Sequence, residues 1–181
     1  METKSLKNFL NSFGQSVVDK AQAELYKDKG TTALGQSIRF EVVRTPQGFS
    51  TKFYMLDYGT FLDKGVSGDK KKRSYKNYKG TTESSPYSYT TKGPPIDILS
   101  KWIKKKGIKP KGLGRGRSKK TGQYVSGFAY LISRKIKREG IPSLSFFQKP
   151  LGIEYKKLKD GMLNELKLDI ESYLTTFYRP K

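Results

Sequence analysis

The chain has 181 residues, with 37 Lys and Arg against 16 Asp and Glu for a net charge of +21, and contains neither Cys nor His. That composition excludes disulfides, thiolate chemistry and imidazole bases or metal ligands, and it suits a reducing cytosol. No run of 18 apolar residues predicts a membrane span, and the opening METKSLKNFL lacks the apolar core of a secretory signal.

The length suits a single domain over 1–181 with a sizeable core. The charge is uneven. Lys64–Arg138 holds 22 Lys and Arg against Asp69, Glu83 and Asp97, while the flanks are nearly balanced. A basic middle on a neutral scaffold implies phosphate, an acidic protein surface, or like copies arranged around an anion.

Helical spacing of Leu6, Phe9, Leu10, Phe13, Val17, Ala21 and Leu25 predicts an amphipathic helix from about Thr3 to Tyr26, with Gly14 as a weak point. Ser37–Arg44 alternates with Ile38, Phe40 and Val42 on one side, and Phe49–Leu56 alternates again after the turn Thr45–Gly48, which predicts a half-buried hairpin. Asp57–Gly65 then reads as a turn leading out of the sheet. Asp57 and Asp63 lack a third ligand, so no metal site is expected. Val66–Lys92 is rich in Lys, Ser, Tyr and Gly with little periodicity: either an inserted hairpin or a loop that orders on a partner. Its Tyr75, Tyr78, Tyr87 and Tyr89 suit a protein interface or, as an alternative, stacking on nucleobases.

Gly93–Pro110 is the best-punctuated stretch. Pro95 opens a helix, Asp97 sits in its first turn, Lys101, Lys104, Lys105 and Lys106 crowd its end, and Gly107 and Pro110 stop it. Ile96, Leu99 and Ile103 share a face, with Trp102 beside it, so the lysines should point outward. Lys111–Gln123 is a basic Gly-rich loop without the GK[ST] ending of a phosphate-binding loop. Tyr124–Glu139 predicts a further helix with a stripe of Val125, Phe128, Ala129, Ile132 and Ile136, a basic end at Arg134–Arg138, and a stop at Gly140 and Pro142. Ser143–Leu151 reads as an extended piece ending at Pro150. A last helix follows from about Ile153 to Phe177, its apolar face formed by Leu158, Met162, Leu166, Ile170 and Leu174 and broadened by Leu163 and Tyr173. The fold class expected is α+β: a curved, hairpin-based antiparallel sheet flanked by N-terminal, central and long C-terminal helices, with a basic insertion at about 66–123.

The order of these landmarks resembles a family. After the N-terminal helix come Leu34-Gly35-Gln36-Ser37-Ile38, the YGTFLDKG turn at Tyr58–Gly65, PPIDILSKWIKKKG, a helix ending in a basic run and Gly-Ile-Pro, and SFFQKPL before the last helix. In this order the chain is similar to the head–tail joining proteins of tailed phages, also called tail completion, neck or tail-adaptor proteins. Phe146, Phe147 and Pro150 would occupy that family's P-F-x-x-P-A-L pattern. The resemblance implies a structural virion protein assembled in the cytoplasm of the host bacterium as a homo-oligomeric ring. Its partners would be portal, head-completion or tail proteins, with DNA in the channel as a further contact. It implies no catalytic residue, cofactor, metal or membrane. Candidate partner or DNA contacts are Lys70, Lys71, Lys72, Arg73, Lys76, Lys104, Lys105, Lys106, Arg115, Arg117, Lys119 and Lys120. The alternative is a sequence-nonspecific nucleic-acid-binding protein. A nuclease built on Glu41, Lys52, Asp57 or Asp63 has no carboxylate cluster to support it.

Overall fold

The computed structural model describes residues 4–27, 32–46, 48–108, 115–117 and 124–177. In chain order the elements are α1 (Lys4–Tyr26), α2 (Ala33–Ser37), β1 (Arg39–Thr45), β2 (Gly48–Tyr54), α3 (Tyr58–Lys64), β3 (Ser74–Lys76), β4 (Thr82–Ser84), α4 (Ile96–Lys105), β5 (Arg115–Arg117), β6 (Tyr124–Ser126), α5 (Gly127–Glu139) and α6 (Gln148–Phe177). The class is α+β, with the described strands paired as the hairpins β1–β2, β3–β4 and β5–β6. Backbone packing groups the chain into two compact units. The first is 1–59, 76–82 and 145–181; the second is 60–75 and 83–144. The basic stretch read from the sequence as an insertion falls mostly in the second.

In the first unit, α1 buries Leu10, Phe13, Val17, Val18, Ala21 and Leu25, the stripe its spacing predicts. Gly14 is a contact point rather than a weak one: a Cβ there would lie 2.3 Å from the Phe40 ring. The hairpin thus approaches the helix where the helix has no side chain. Register pairs Phe40 with Phe53 and Val42 with Thr51. Phe53 then gathers an aromatic cluster, with ring centroids 6.3 Å from Phe13, 6.3 Å from Phe40 and 5.3 Å from Phe147. Edge-to-face geometry of this kind adds to the burial energy of each ring. The stretch before β1 is the short helix α2, whose N-cap Thr32 accepts a hydrogen bond from the Gly35 N–H.

One expectation about the last helix fails. Pro150 does not end an extended piece; it lies in the first turn of α6, where its missing N–H has no intrahelical partner to lose. The apolar stripe Met162, Leu166, Ile170 and Leu174 points away from the core, since these side chains are 37–53% exposed. The face of α6 turned to α1 carries Glu154, Gly161 and Asp169. Lys20 donates to Glu154, the Phe9 ring fills the space where a Cβ of Gly161 would sit, and Asp169 accepts the N–H groups of Ser5 and Leu6, both at 3.1 Å. Those two N–H groups belong to the first turn of α1, which has no internal acceptor for them and a partial positive charge besides. The helices therefore run antiparallel. A carboxylate at the end of α1 decides which side of α6 lies inward.

In the second unit, the YGTFLDK stretch forms the helix α3 rather than a turn. Val66 exchanges backbone hydrogen bonds with Ile141 (2.9 and 2.7 Å), and Ser67 exchanges them with Tyr87 and Tyr89 (2.8 Å each). Residues 65–68 are thereby buried between two extended segments. Of the two readings of Val66–Lys92, the hairpin is found, turning through the Asn77–Thr81 backbone hydrogen bond. α4 matches its predicted bounds, with Pro95 at the N-cap and Gly107 left-handed at φ 64°. Ile103 is buried, and Ile96 and Leu99 are half-buried. The expected helix over Tyr124–Glu139 begins only at Gly127, because Tyr124–Ser126 pair with Arg115–Arg117 as a strand. Ala129 and Ser133 form the buried line of α5, and the Ser133 hydroxyl donates to the Pro94 carbonyl where α4 starts.

Gly140 and Gly107 make a matched pair. Both have positive φ, but a Cβ at Gly140 would lie 2.1 Å from the Val66 carbonyl oxygen, whereas one at Gly107 would meet nothing within 4 Å. Left-handed strain costs about 1–2 kcal/mol and overpacking about 1–3 kcal/mol more. Urea unfolding should show Gly107→Ala costing about 1 kcal/mol and Gly140→Ala about 2–5 kcal/mol.

Acid should loosen the pairing of α1 with α6. The Lys20 hydrogen bond holds Glu154 below the ordinary carboxylate value against the opposing push of burial, with the charges of Lys20 and Lys157 adding to the lowering. At Asp169 burial pushes the carboxyl up, but the N–H groups of Leu6 and Ser5 more than offset it and the net shift is downward. Carboxyls lowered on folding stabilise above their unfolded values and lose that contribution as pH falls through the folded ones, so the window lies below about pH 4. Thermal melts followed by circular dichroism from pH 7 to pH 3 should fall steeply there. Asp169→Asn should melt lower at pH 7 and fall less on acidification.

Candidate basic interface

The second unit holds 20 Lys and Arg against 5 Asp and Glu, a net +15 of the chain's +21. Its backbone brings two basic segments together at the C-terminal end of α5. The Asp69 N–H donates to the Lys137 carbonyl at 2.9 Å and the Lys70 N–H to the Arg138 carbonyl at 3.0 Å. These acceptors are among the last carbonyls of the helix, which lack internal donors and carry partial negative charge. Gly68 permits the approach, since a Cβ there would lie 2.3 Å from the Arg138 oxygen. Lys70, Lys71 and Lys72 are exposed on this clamped loop. Glu139 lies among the cations: its hydrogen bond from Arg138, opposed by burial and helped by the charges of Lys135, Arg138 and Lys71, holds its carboxyl low.

Arg73 belongs to the same place with a different role. Its Nε donates to the Glu139 carbonyl at 2.8 Å and its N–H to the Ser67 hydroxyl at 3.0 Å, so it closes the end of α5 rather than standing free for a partner. The sequence displays the basic run Arg134–Arg138, yet only the pairing of 66–70 with 137–141 shows that Lys135 and Arg138 join Lys70–Lys72. Lys76 is exposed on β3, on the hairpin segment grouped with the first unit.

A second basic group lies on α4. Lys101, Lys104, Lys105 and Lys106 are all exposed, as expected, and Ile98 and Trp102 are exposed beside them at 63% and 45%. Gly93 and Pro94 meet Ser133 and Lys137 of α5, while contacts of α4 extend to β6, the strand preceding α5. The lysine-rich end of α4 therefore runs toward the β5–β6 hairpin. Arg115 and Arg117 lie on β5, paired with Ser126 and Tyr124. Lys119 and Lys120 lie outside the described residues.

The tyrosines of 66–92 do not stand out as a stacking platform. Tyr75 is buried, with its hydroxyl 2.7 Å from Glu83 and Lys64 over its ring. Tyr87 packs edge-on against Phe61 at 4.4 Å, Tyr78 edge-on against Tyr155 at 5.0 Å, and Tyr89 is half-buried. Tyr75, Tyr78 and Tyr87 thus pack within their own units, and burial takes Tyr75 out of the candidate partner contacts. Among the described residues no group of three His, Cys, Asp or Glu is placed to hold a metal ion, and no helix is long and apolar enough to cross a membrane. No family model, characterised protein or solved structure shows a match to this chain.

The hydrogen bond to Glu83, burial, and the nearby acids Glu83 and Asp63 push the Tyr75 hydroxyl up to about 12. Alkaline titration followed by tyrosinate absorbance should show a component near that value. Tyr75→Phe should remove that component and leave the remainder of the curve in place.

Proposed function

We propose that the chain is a ring-forming structural subunit of a tailed-phage head–tail connection, joining portal or head-completion proteins to the tail. The observation that carries this reading is the bare apolar face of α6, where Met162, Leu163, Leu166, Ile170, Tyr173 and Leu174 are all 37–53% exposed. Contiguous apolar surface of this kind on a highly charged chain suits a subunit completed by assembly. The order of sequence landmarks supplies the virion setting. The basic groups at the ends of α4 and α5 would then line a lumen or meet acidic surfaces of neighbouring virion proteins, which favours correct docking and speeds encounter.

A second reading, a nucleic-acid-binding protein without sequence preference, is favoured by the clamped loop Lys70–Lys72 beside Lys135 and Arg138. A preformed cluster of cations meets phosphates without ordering a loop first, and the affinity it gives falls steeply with salt.

Mass measurement of the purified chain at low and high salt should give a multimer of defined size that persists at high salt and binds portal or tail proteins. A strictly monomeric chain with no virion partner would overturn the connector reading. Titration of duplex DNA at two salt concentrations separates the second: six neutralised phosphates would lower affinity about 10³-fold between ~50 and ~200 mM salt. Absence of binding at low salt would remove that reading.

A further inference from the structure

We infer that copies of this chain join head to tail, the Ile98–Trp102 face of α4 on one copy seating on the Met162–Leu174 face of α6 on the next. This deepens the ring reading and rests on it, because it names the two surfaces that would meet.

The α6 surface follows from the inward turn of Glu154, Gly161 and Asp169. At 100° per residue, Met162, Leu163, Leu166, Ile170, Tyr173 and Leu174 fall within an arc of about 120° beside that inner face. They run about 18 Å along the helix at 1.5 Å per residue. The spacing of Leu163, Leu166, Ile170 and Tyr173 alternates three and four, the pattern of a helix that packs on another helix. The α4 surface is smaller. Ile98 and Trp102 are one turn apart, exposed on a helix whose opposite side buries Ile103, with Lys101 and Lys105 on the same side at the next positions of the turn. A central aromatic with an aliphatic neighbour and basic flanks is the composition of an interface anchor.

Charge selects which face meets which. Around the exposed face of α6, Glu165 and Glu171 stand against Lys167, which lies 3.7 Å from Glu171, while Asp169 is turned in to α1. The segment 96–106 carries Lys101, Lys104, Lys105 and Lys106 against Asp97 alone. Two α4 faces brought together would oppose eight lysines. Set against α6, those lysines meet Glu165 and Glu171 instead, so the mixed pairing is the one that relieves the charge on α4. A contact between two different surfaces also propagates from copy to copy and closes into a ring where the rotation allows, whereas a self-complementary contact stops at two. The area is adequate. Eight side chains at these exposures leave on the order of 600 Å² of apolar surface uncovered, and the stems of the flanking lysines bring the total toward the ~1,000 Å² a specific interface requires.

The test uses two full-length variants, Trp102→Glu and Leu166→Lys, each checked for an unchanged circular-dichroism spectrum, with masses read by sedimentation velocity. The wild-type chain should assemble and each variant alone should remain at the 20.6 kDa of the monomer. An equimolar mixture should give a dimer and nothing larger, because the intact α4 of one variant meets the intact α6 of the other and both remaining faces are damaged. A monomeric wild-type chain, or a mixture that stays monomeric, overturns the proposal. So does a Trp102→Glu chain that assembles like wild type, which would point to a symmetric α6 seam. Wild-type chains that pass the mixing test but grow into open filaments would uphold the contact and overturn the ring.

Discussion

A carboxylate at the end of a helix organises the first unit. Asp169 accepts the two N–H groups that α1 leaves unpaired at its start, and this fixes the rotation of α6 about its own axis. With Asp169 inward, Glu154 about four turns earlier meets Lys20, and Gly161 between them admits Phe9. The pairing is thus made of charge and close approach rather than of an apolar seam. A rotation that buried Met162, Leu166 and Ile170 against α1 would gain apolar contact. It would also leave Glu154 and Asp169 without their donors and the first turn of α1 without an acceptor, and buried groups of that kind are costly to leave unpaired. The apolar face is outside because the polar face has specific work to do inside.

The second unit solves a different problem, which is to hold many like charges close together. Exposed cations separated by more than about 8–10 Å are screened at physiological salt, and here the backbone sets Lys70 beside Arg138 while Lys71, Lys135 and Arg138 all act on Glu139. The backbone supplies the compensation. The last carbonyls of α5 accept N–H groups from the loop, Arg73 closes on the Glu139 carbonyl, and the Glu139 side chain stays ionised among the lysines. The result is a basic loop whose conformation does not depend on a partner. A partner that meets it is spared most of the ordering entropy that a flexible loop would impose on binding.

The sequence made the α1 stripe, the β1–β2 hairpin and the bounds of α4 legible, each through a local signal: helical periodicity, alternation, or a Pro–Asp–Lys–Gly punctuation. The exposed lysines of α4 followed from the same pattern. What could not be read was non-local. Periodicity marks Leu166 and Ile170 as sharing a face but does not say whether that face meets the core or another molecule. Tyr75 resembles its exposed neighbours in composition; its burial comes from Glu83 across the hairpin. YGTFLDK is too short to show the helical period of α3, and β6 looks continuous with α5 because its pairing partner lies in a Gly-rich basic stretch. The grouping of Lys70 with Arg138 rests on hydrogen bonds spanning 68 positions, a separation no local rule reaches.

The hydrogen bond from Ser5 to Asp169 spans 164 positions, so its two ends are synthesised far apart in time. Contacts of such separation are slow to form, and their unformed halves are exposed to aggregation meanwhile. The chain crosses between its two units four times, so the first unit is a discontinuous assembly of three separated segments. Until α6 is made, α1 carries Phe9 without the glycine surface on which its ring packs. α6 is therefore both the cover of that unit and the bearer of its bare outer face, and a chain that lacked it would lose both at once.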